Sequence, residues 1–415
     1  MTVSIRIGGV ASLEAIRAQF PALGRRERGQ PVAYFDGPGG TQVPTAVVAA
    51  MNDYLFHHNA NTHWHYPSSA ETDELVEASR AALADFLNAR PDEIAFGLNM
   101  TTLTYHLGRA LGRGWNAGDE VVITELDHHG NVAPWQALAR ERGIVLRTLP
   151  LQLEDGTLDL SQLPALLGPR TRLLAIGAAS NILGTVVDVA AACAMARQAG
   201  VLSFVDAVHA APHVLPDVQG VGCDFLAGSA YKFYGPHVGF LFGRKERIEA
   251  LDLPKLIPAP DTAPERMETG TQNHEGIVGA AAAVDFLAGL GHGSTRRARL
   301  AASYSELHRR GVSLLRRLWE GLAENRRVKL YGPPPNAPRT PTLAFTVQGM
   351  PAAAVAERLA EGGLFLSHGD FYALTVVQRL GLVDEGLVRA GCACYTTAEE
   401  IERLIVGVEE IARQK

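Results

Sequence analysis

One lysine follows a strand predicted from the sequence. In the segment GCDFLAGSAYKFYGPHVGFLFG, an apolar run leads to Ser229, Tyr231 and Lys232 before a Gly-Pro turn. Strand ends in open α/β sheets face the ligand crevice. Aromatic neighbours would desolvate the Lys232 amine and favour its neutral form, which is the form that makes a Schiff base. A surface lysine after a strand would show the same local pattern, so this segment alone leaves both interpretations open.

A carboxylate follows a second apolar run. The run VLSFVD ends at Asp206, which places a carboxylate at the same edge of the same sheet as Lys232. A buried aspartate needs a cationic or hydrogen-bond-donating partner. The pyridinium nitrogen of pyridoxal phosphate (PLP) is such a partner, because an ionised carboxylate keeps it protonated and makes the ring an electron sink. An aspartate here could also bind Mg²⁺ or cap a helix, and the nearby Lys232 favours PLP.

Hydroxyl side chains lie where a phosphate could bind. Thr101 and Thr102 open a helix directly after the strand EIAFG, and Ser229 adds a hydroxyl from the lysine turn. Helix N-termini bind phosphate through free N–H groups. Thr101 could instead be a simple N-cap. Neither a Walker A sequence nor a GxGxxG segment opens a helix after a strand, which disfavours a nucleotide-binding α/β protein with Mg²⁺ on Asp206.

Two adjacent histidines, His128 and His129, follow another strand end in ELDHHGNVAPW. Neighbours in sequence rarely converge on one metal ion, and no further His, Asp or Glu set has ligand spacing. We therefore predict no metal site and expect the His128 imidazole to stack on a planar cofactor.

The elements that carry these residues alternate between amphipathic helices and apolar runs. Between about residues 40 and 245 this alternation predicts an α/β layered protein with a mostly parallel sheet covered by helices. After about residue 290 a long charged helix precedes three further strands and two helices, which predicts a small α+β C-terminal domain. We expect a large domain over 21–290, and a small domain formed by 291–415 together with 1–20.

Composition limits the function classes. The 415 residues include 38 basic and 44 acidic side chains, a net charge of −6, which gives no basic field for nucleic acid or anionic lipid. Four cysteines are too few for a disulfide framework and lack zinc spacing. No run approaches the ~18 apolar residues of a membrane span. We expect a soluble cytoplasmic protein with a small-molecule substrate.

The motifs in combination resemble the class V, fold-type I PLP enzymes, and within them the cysteine desulfurase-like proteins. The resemblance runs from YFDGPGGTQVP (34–44) to VRAGCACYTTAEEIERL (388–404). Between them TELDHHGNVAPWQ, ASNILGT, FVDAVHAAPH, CDFLAGSAYKFYGP and ETGTQNHEGIVG follow in the family's order.

The resemblance implies a role for each matching residue. Lys232 resembles the Schiff-base lysine, Asp206 the partner of the ring nitrogen and His128 the stacking histidine, so these three form the expected catalytic set. The other implied contacts are Asn181 near the phenolic oxygen; Thr101, Thr102 and Ser229 at the phosphate; Thr271 at the phosphate of a neighbouring subunit; and Arg389 on the substrate α-carboxylate. The match at Thr271 implies a homodimer, and a planar guanidinium fork suits a carboxylate.

Three positions depart from the family pattern. His209 stands where a glutamine usually meets the phenolic oxygen, and Tyr231 where a histidine usually meets the phosphate. Both can still hydrogen-bond. In the desulfurases a loop cysteine accepts the substrate sulfur as a persulfide, whereas the matching stretch here is LSHGDFYAL, with Tyr372 near the expected position. Cys392 and Cys394 lie shortly after Arg389, and free cysteines are usually small buried hydrophobes.

The sequence thus contains the residues expected for the cofactor site. It leaves open which reaction follows the deprotonation of the substrate at Cα. The first expectation is a desulfurase-like carbon–sulfur lyase that acts on a cysteine-type amino acid without a protein persulfide. Epimerisation or transamination by a class V enzyme is the alternative. A third interpretation is a non-catalytic PLP-binding protein, which would need Lys232 but no turnover.

Overall fold

The computed structural model describes residues 6–7 and 10–413. A seven-stranded sheet forms its centre. The strands of the two main sheets are numbered β1 to β11 in chain order. Those of the large sheet are β1 (Ile94–Gly97), β2 (Glu120–Thr124), β3 (Val145–Leu149), β4 (Thr171–Gly177), β5 (Leu202–Asp206), β6 (Phe225–Ser229) and β7 (Gly239–Gly243).

The strand order in the large sheet is β1-β7-β6-β5-β4-β2-β3. Only β7 runs antiparallel to its neighbours β6 and β1, and the remaining pairs are parallel. In register, Gly177 of β4 lies opposite Asp206 of β5. The carboxyl ends of β2, β4, β5 and β6 therefore meet along one edge of the sheet, the edge where open α/β folds bind ligands.

Helices of seven or more residues are numbered α1 to α10. Six belong to the chain before residue 291: α1 (Thr45–Asp53), α2 (Pro67–Leu87), α3 (Met100–Gly112), α4 (Ala133–Arg142), α5 (Val189–Gln198) and α6 (His274–Leu290). A π-helical turn, Tyr54–His58, continues α1.

Helices cover both faces of the large sheet, which explains why its central strands are largely apolar. Side chains alternate between faces along a strand. In β5, Phe204 packs in the core that contains Trp135 of α4, while its neighbour Val205 packs in the core that contains Phe86 of α2 and Ile277 of α6. Each strand thus needs apolar residues at consecutive positions.

A second, four-stranded antiparallel sheet follows, in the order β8-β9-β11-β10. Its strands are β8 (Val328–Tyr331), β9 (Thr342–Val347), β10 (Ser367–Gly369) and β11 (Leu387–Gly391). Its helices are α7 (Arg296–Ala323), α8 (Ala352–Glu361), α9 (Leu374–Leu380) and α10 (Ala398–Arg413). They enclose a third apolar core with residues such as Leu318, Phe345 and Leu404.

Shorter elements complete the described chain. Short helices and 3-10 turns span Leu13–Arg17, Pro21–Gly24, Pro91–Glu93, His129–Asn131, Leu160–Gln162, Leu163–Leu166, Val218–Val221, Ala230–Lys232, Lys245–Glu249 and Glu265–Met267. Two-residue strands span Arg6–Ile7, Val10–Ala11, Arg26–Glu27, Gln30–Pro31, Ala33–Tyr34, Leu151–Gln152, Thr157–Leu158 and Leu364–Phe365.

The N-terminal segment contacts both halves of the molecule. Arg17 donates from Nη1 to the Tyr395 carbonyl oxygen and to Glu400 Oε1 (3.0 Å). The Phe20 ring packs edge-on against Tyr234 and Tyr395. Residues 1–5 and 8–9, part of the segment expected in the small domain, lie outside the described residues. The division at 20/21 and 290/291 remains our proposal, and the break between α6 and α7 supports its second boundary.

The predicted α/β architecture, with its mostly parallel sheet, is confirmed. The sequence interpretation omitted the edge strand β3, whose side chains are largely exposed or half-buried. One of the three strands expected after the long charged helix, GLFLSHG, is divided: Leu364–Phe365 pairs with Ala33–Tyr34, and only Ser367–Gly369 joins the small sheet.

A buried ion pair ties α2 to the edge of the large sheet. Arg80 donates from Nη1 and Nη2 to the two carboxylate oxygens of Glu268, at 2.7 and 2.8 Å. Glu268 Oε1 also accepts from the Phe96 N–H of β1. Both side chains are buried, so this pair fixes the start of the segment that carries Thr271.

We predict that Glu268→Ala lowers the free energy of unfolding by about 3–5 kcal/mol, because it leaves the Arg80 charge buried without its partner. Urea titration measures this change. The control is Glu361→Ala, which removes an exposed pair with Arg28 and should cost about 0–1 kcal/mol. Equal losses in the two variants would contradict the prediction.

Candidate active site

A cavity of about 1300 Å³ opens at the carboxyl ends of the parallel strands. The turn between β10 and α9 and the side chain of Arg389 from β11 close it on the other side. The structure brings ten of the predicted site residues into its lining: Thr101, Thr102, His128, Asn181, Asp206, His209, Ser229, Tyr231, Lys232 and Arg389.

Lys232 projects from the 3-10 turn that follows β6. Its Nζ donates to the carbonyl oxygens of Pro38 (2.5 Å) and Gly39 (3.0 Å). Burial, followed by the Arg389 charge, lowers the pKa of the amine to about 7, and the Asp206 charge partly offsets this shift. A substantial fraction of Lys232 is therefore neutral, and nucleophilic, near neutral pH.

Asp206 is buried at the end of β5. Its Oδ1 accepts from the Val208 N–H at 2.9 Å. Burial raises the pKa of this carboxyl to about 6, partly offset by that hydrogen bond and by Lys232. Asp206 is thus mostly ionised at pH 7, and a protonated ring nitrogen would suit it.

Asp127 is a second buried carboxylate in the cavity lining that our sequence analysis missed. Its Oδ1 accepts from the Gly177 N–H (2.6 Å) and its Oδ2 from the Thr124 N–H (3.1 Å). Burial, followed by the Asp206 charge, raises its pKa to about 7. The signal in the sequence was an aspartate directly before His128.

The His128 ring is fixed by its own turn. Its Nδ1 accepts from the Gly130 N–H at 2.8 Å. Burial, followed by the Lys232 charge, lowers its pKa to about 4. The imidazole is therefore neutral at physiological pH, which suits stacking on a cationic ring. The Tyr372 ring lies nearby, with the two centroids 5.7 Å apart.

The N-terminus of α3 provides the phosphate-binding geometry expected from the sequence. Asn99 caps the helix by accepting from the Thr102 N–H. Ser229 Oγ accepts from the Met100 N–H at 3.0 Å, which joins the lysine turn to the same helix end. Together with Thr101, these groups place hydroxyls and the positive end of a helix dipole at one end of the cavity.

Several buried polar atoms in the cavity lack a partner among the described residues. His209 contacts Thr340 and Thr342 through Nε2 (3.1 Å each), while its Nδ1 is unpartnered. Asn181 donates from Nδ2 to the Phe371 carbonyl oxygen (2.8 Å), while its Oδ1 is unpartnered. Buried polar groups are normally satisfied, so these orphaned atoms indicate a polar occupant.

Tyr231 and Arg389 also line the Lys232 cavity. The Tyr231 ring stacks on His237, with centroids 4.9 Å apart. Arg389 donates from Nη1 to the Asn181 carbonyl oxygen (2.8 Å), and its Nε is buried without a partner. Burial lowers the pKa of its guanidinium to about 9, which leaves it charged at neutral pH. It thus retains donors for an anionic ligand.

Thr271 does not join this cavity. It is exposed and lines a separate depression of about 390 Å³ that shares Leu98, Thr102 and His237 with the main cavity.

The cysteines lie elsewhere. All four are free and buried. Cys392 and Cys394 line a different cavity, of about 240 Å³, and burial raises the pKa of each thiol to about 12.

The residues fit PLP: one cavity contains a lysine amine with a lowered pKa, a buried carboxylate, a neutral imidazole, hydroxyls at a helix N-terminus and orphaned polar atoms. Among the described residues, no group of three or more histidine, cysteine or acidic side chains has metal-binding geometry. No helix among them is both long and apolar enough to cross a membrane.

Fold and site together define a fold-type I PLP-dependent enzyme. The aminotransferase class-V family model matches residues 33–404, and the chain belongs to that family. It is 35% identical to a cysteine desulfurase of Pectobacterium atrosepticum over 97% of this chain and 98% of the relative. It is 36% identical to one of Klebsiella pneumoniae, over 96% and 98%.

Solved structures of cysteine desulfurases have the same fold as this chain. A cysteine desulfurase of Thermococcus onnurineus superposes with a TM-score of 0.88 at 29% identity, covering 100% of both chains. One of Escherichia coli superposes with a TM-score of 0.84 at 28% identity, covering 97% of this chain and 98% of that one. The predicted class, cofactor and cysteine desulfurase-like character are thus confirmed, whereas the roles of individual residues stay predictions.

We predict that borohydride reduction of the purified yellow protein attaches the cofactor covalently to the peptide that contains Lys232, as peptide mass spectrometry would show. Lys232→Arg should keep the fold, checked by circular dichroism, and lose the covalent link, because a guanidinium stays charged and does not act as the nucleophile. Label on another lysine would refute the assignment.

Proposed function

We propose that this enzyme is a desulfurase-like carbon–sulfur lyase that acts on a cysteine-type amino acid and releases sulfur without a persulfide on the protein. The single observation that supports this most strongly is that every cysteine is buried away from the Lys232 cavity, while Tyr372 lies in the loop position expected for the acceptor thiol. The cysteine desulfurases among its relatives support a sulfur amino acid as substrate.

Substrate binding would begin at Arg389. Nη1 is occupied by the Asn181 carbonyl oxygen, so Nε and Nη2 form the edge available to the α-carboxylate. This pair of donors matches the two oxygens of a carboxylate. Arg389 would thereby orient the amino acid with its Cα toward Lys232.

Lys232 would act as the base at Cα. Its lowered pKa provides a neutral amine near pH 7, and Nζ can hold the abstracted proton because Pro38 and Gly39 offer two carbonyl acceptors. PLP, when bound, supplies the electron sink for this deprotonation. Asp206 would keep the ring nitrogen protonated, and His128 would hold the ring plane from one face.

The fate of sulfur follows from the side chains nearby. A thiolate attacks sulfur, whereas a phenol does not form a persulfide, so Tyr372 offers no covalent acceptor. The thiols of Cys392 and Cys394, with pKa values near 12, are protonated at neutral pH. Sulfur would therefore leave as sulfide or a small thiol.

We also propose a homodimer in which Thr271 contacts the phosphate bound by the partner subunit. Thr271 is exposed and separate from its own chain's Lys232 cavity, as such a role requires. A cytoplasmic location stays a prediction.

We predict that turnover of a cysteine-type substrate places free sulfide or thiol in solution, and that a Cys392→Ala, Cys394→Ala double variant keeps its activity, because neither thiol reaches the cavity. The matched control is the double variant Cys193→Ala, Cys223→Ala, at sites that are equally buried. Sulfide assay and mass spectrometry of the intact protein measure the two quantities.

Tyr372→Cys provides the positive control. Side chain 372 is 73% exposed within the cavity lining, so a thiolate there should attack the substrate sulfur, with the electron pair of the carbon–sulfur bond left on carbon, and hold the sulfur as a persulfide. Persulfide on Cys392 or Cys394 of the unmodified enzyme, with activity lost only in that pair's variant, would overturn the proposal. Cα inversion or amino transfer, without any sulfur release, would favour epimerisation or transamination.

We predict that Thr271→Ala weakens cofactor retention by about 1.5–3 kcal/mol, the value of one hydrogen bond to a charged group. Dialysis followed by absorbance measures the retained PLP, and light scattering gives the oligomeric state. Thr269→Ala, exposed in the same segment, should retain PLP normally. A strictly monomeric protein with full cofactor affinity would exclude the shared site.

A further inference from the structure

The turn between β10 and α9 contains two consecutive residues in a strained conformation. Phe371 and Tyr372 both have φ of +55°. Side chains other than glycine rarely adopt this region, and such strain persists only where the surroundings hold it in place. The turn therefore keeps these two residues in a specific arrangement.

Three of the hydrogen bonds in this turn involve backbone atoms of Phe371 and Tyr372. Asn181 Nδ2 donates to the Phe371 carbonyl oxygen (2.8 Å), and the His129 N–H donates to the Tyr372 carbonyl oxygen (2.7 Å). Within the turn, Asp370 Oδ1 accepts from the Tyr372 N–H (2.9 Å). Two of these donors belong to segments of the large sheet's ligand edge, so the cofactor cavity itself fixes the turn.

The turn places the Phe371 ring on Arg389. The guanidinium carbon lies over the ring face, 4.1 Å from its centroid. Because Arg389 also donates to the Asn181 carbonyl oxygen (2.8 Å), the residues Arg389, Asn181 and Phe371 form a closed cycle of three contacts. Each contact joins two members of the cycle, and the cycle spans both halves of the molecule.

The cycle leaves one side of the guanidinium free. Phe371 covers a face and Asn181 occupies Nη1, whereas Nε is buried without a partner among the described residues. A Cβ at Gly39 would lie 3.6 Å from Nη2, so the glycine leaves the Nη2 side open. The contacts of Phe371 and Asn181 thus fix the orientation of the Nε–Nη2 edge before any ligand arrives.

We propose that Phe371 is a positioning residue for carboxylate recognition: its ring, held by the strained turn, covers Arg389 and fixes the Nε–Nη2 edge for the substrate α-carboxylate. This inference rests on the proposed role of Arg389 in carboxylate binding. An aromatic face stabilises a desolvated guanidinium. A guanidinium that is already aligned loses less conformational entropy when it binds a carboxylate.

The test compares two ligands of the PLP-loaded enzyme. 3-Mercaptopropionate has the carboxylate of cysteine without its amine, and cysteamine has the amine without the carboxylate. Phe371→Ala should weaken mercaptopropionate binding, measured by calorimetry, by about tenfold. The change in cofactor absorbance on adding cysteamine should keep its concentration dependence, because cysteamine has no carboxylate for Arg389 to hold.

Two further variants distinguish the effect of the aromatic ring from the effect of side-chain volume. Phe371→Tyr should bind mercaptopropionate as the original enzyme does, whereas Phe371→Leu, which keeps an apolar side chain in the turn, should lose part of the affinity. Equal weakening of both ligands in Phe371→Ala, or full affinity for mercaptopropionate in Phe371→Leu and Phe371→Ala, would overturn the inference.

Arg389→Lys distinguishes this inference from its premise. If Arg389→Lys leaves mercaptopropionate binding unchanged, the proposed carboxylate site itself is wrong and the role of Phe371 falls with it. If Arg389→Lys weakens binding while Phe371→Ala does not, Arg389 binds the carboxylate and only the positioning role of Phe371 is refuted.

Discussion

The desolvation of charged groups at one edge of the large sheet is the constraint on which the site depends. Lys232, Asp206, Asp127 and Arg389 all lie in one cavity, and burial shifts the pKa of each toward its uncharged form. Because isolated buried charges are costly, each group needs compensating dipoles or a ligand. The carbonyl oxygens of Pro38 and Gly39 accept hydrogen bonds from the lysine amine, and backbone N–H groups donate to the two aspartates. The strand ends and turns supply the backbone groups that make these hydrogen bonds.

Residues with local signals could be predicted from the sequence. Asp206 ends an apolar strand, and Lys232 and His128 each lie within four residues after one. Parallel strands bring their carboxyl ends to one edge. Thr101 follows a strand and opens a helix, so its place in the cavity was also implied. The α/β layering could be predicted for a similar reason: strands apolar on both faces must be covered by helices, as Phe204 and Val205 show by packing in different cores.

Other features depend on contacts between distant residues. The bond from Asp127 to the Gly177 N–H follows from strand register, which one sequence does not display. The contacts of Asn181 with Phe371 and Arg389 join segments about 200 residues apart. The edge strand β3 lacks a continuous apolar run because much of it faces solvent. Thr271 is a different case, since its expected partner belongs to another subunit and one chain cannot show that contact.

In the proposed function, the groups that would hold the cofactor and the residue that would decide the fate of sulfur belong to different elements of the fold. Lys232, Asp206 and the helix N-terminus belong to the large sheet's edge, whereas the residue that would accept sulfur belongs to the turn between β10 and α9. That turn contacts the sheet edge through backbone atoms of Phe371 and Tyr372. These backbone hydrogen bonds do not depend on the side chain at position 372, so they can anchor the turn with either a phenol or a thiol at that position. The same anchoring holds the backbone of residue 372 in place, and under the proposed function the chemical nature of its side chain determines whether sulfur remains on the protein or leaves.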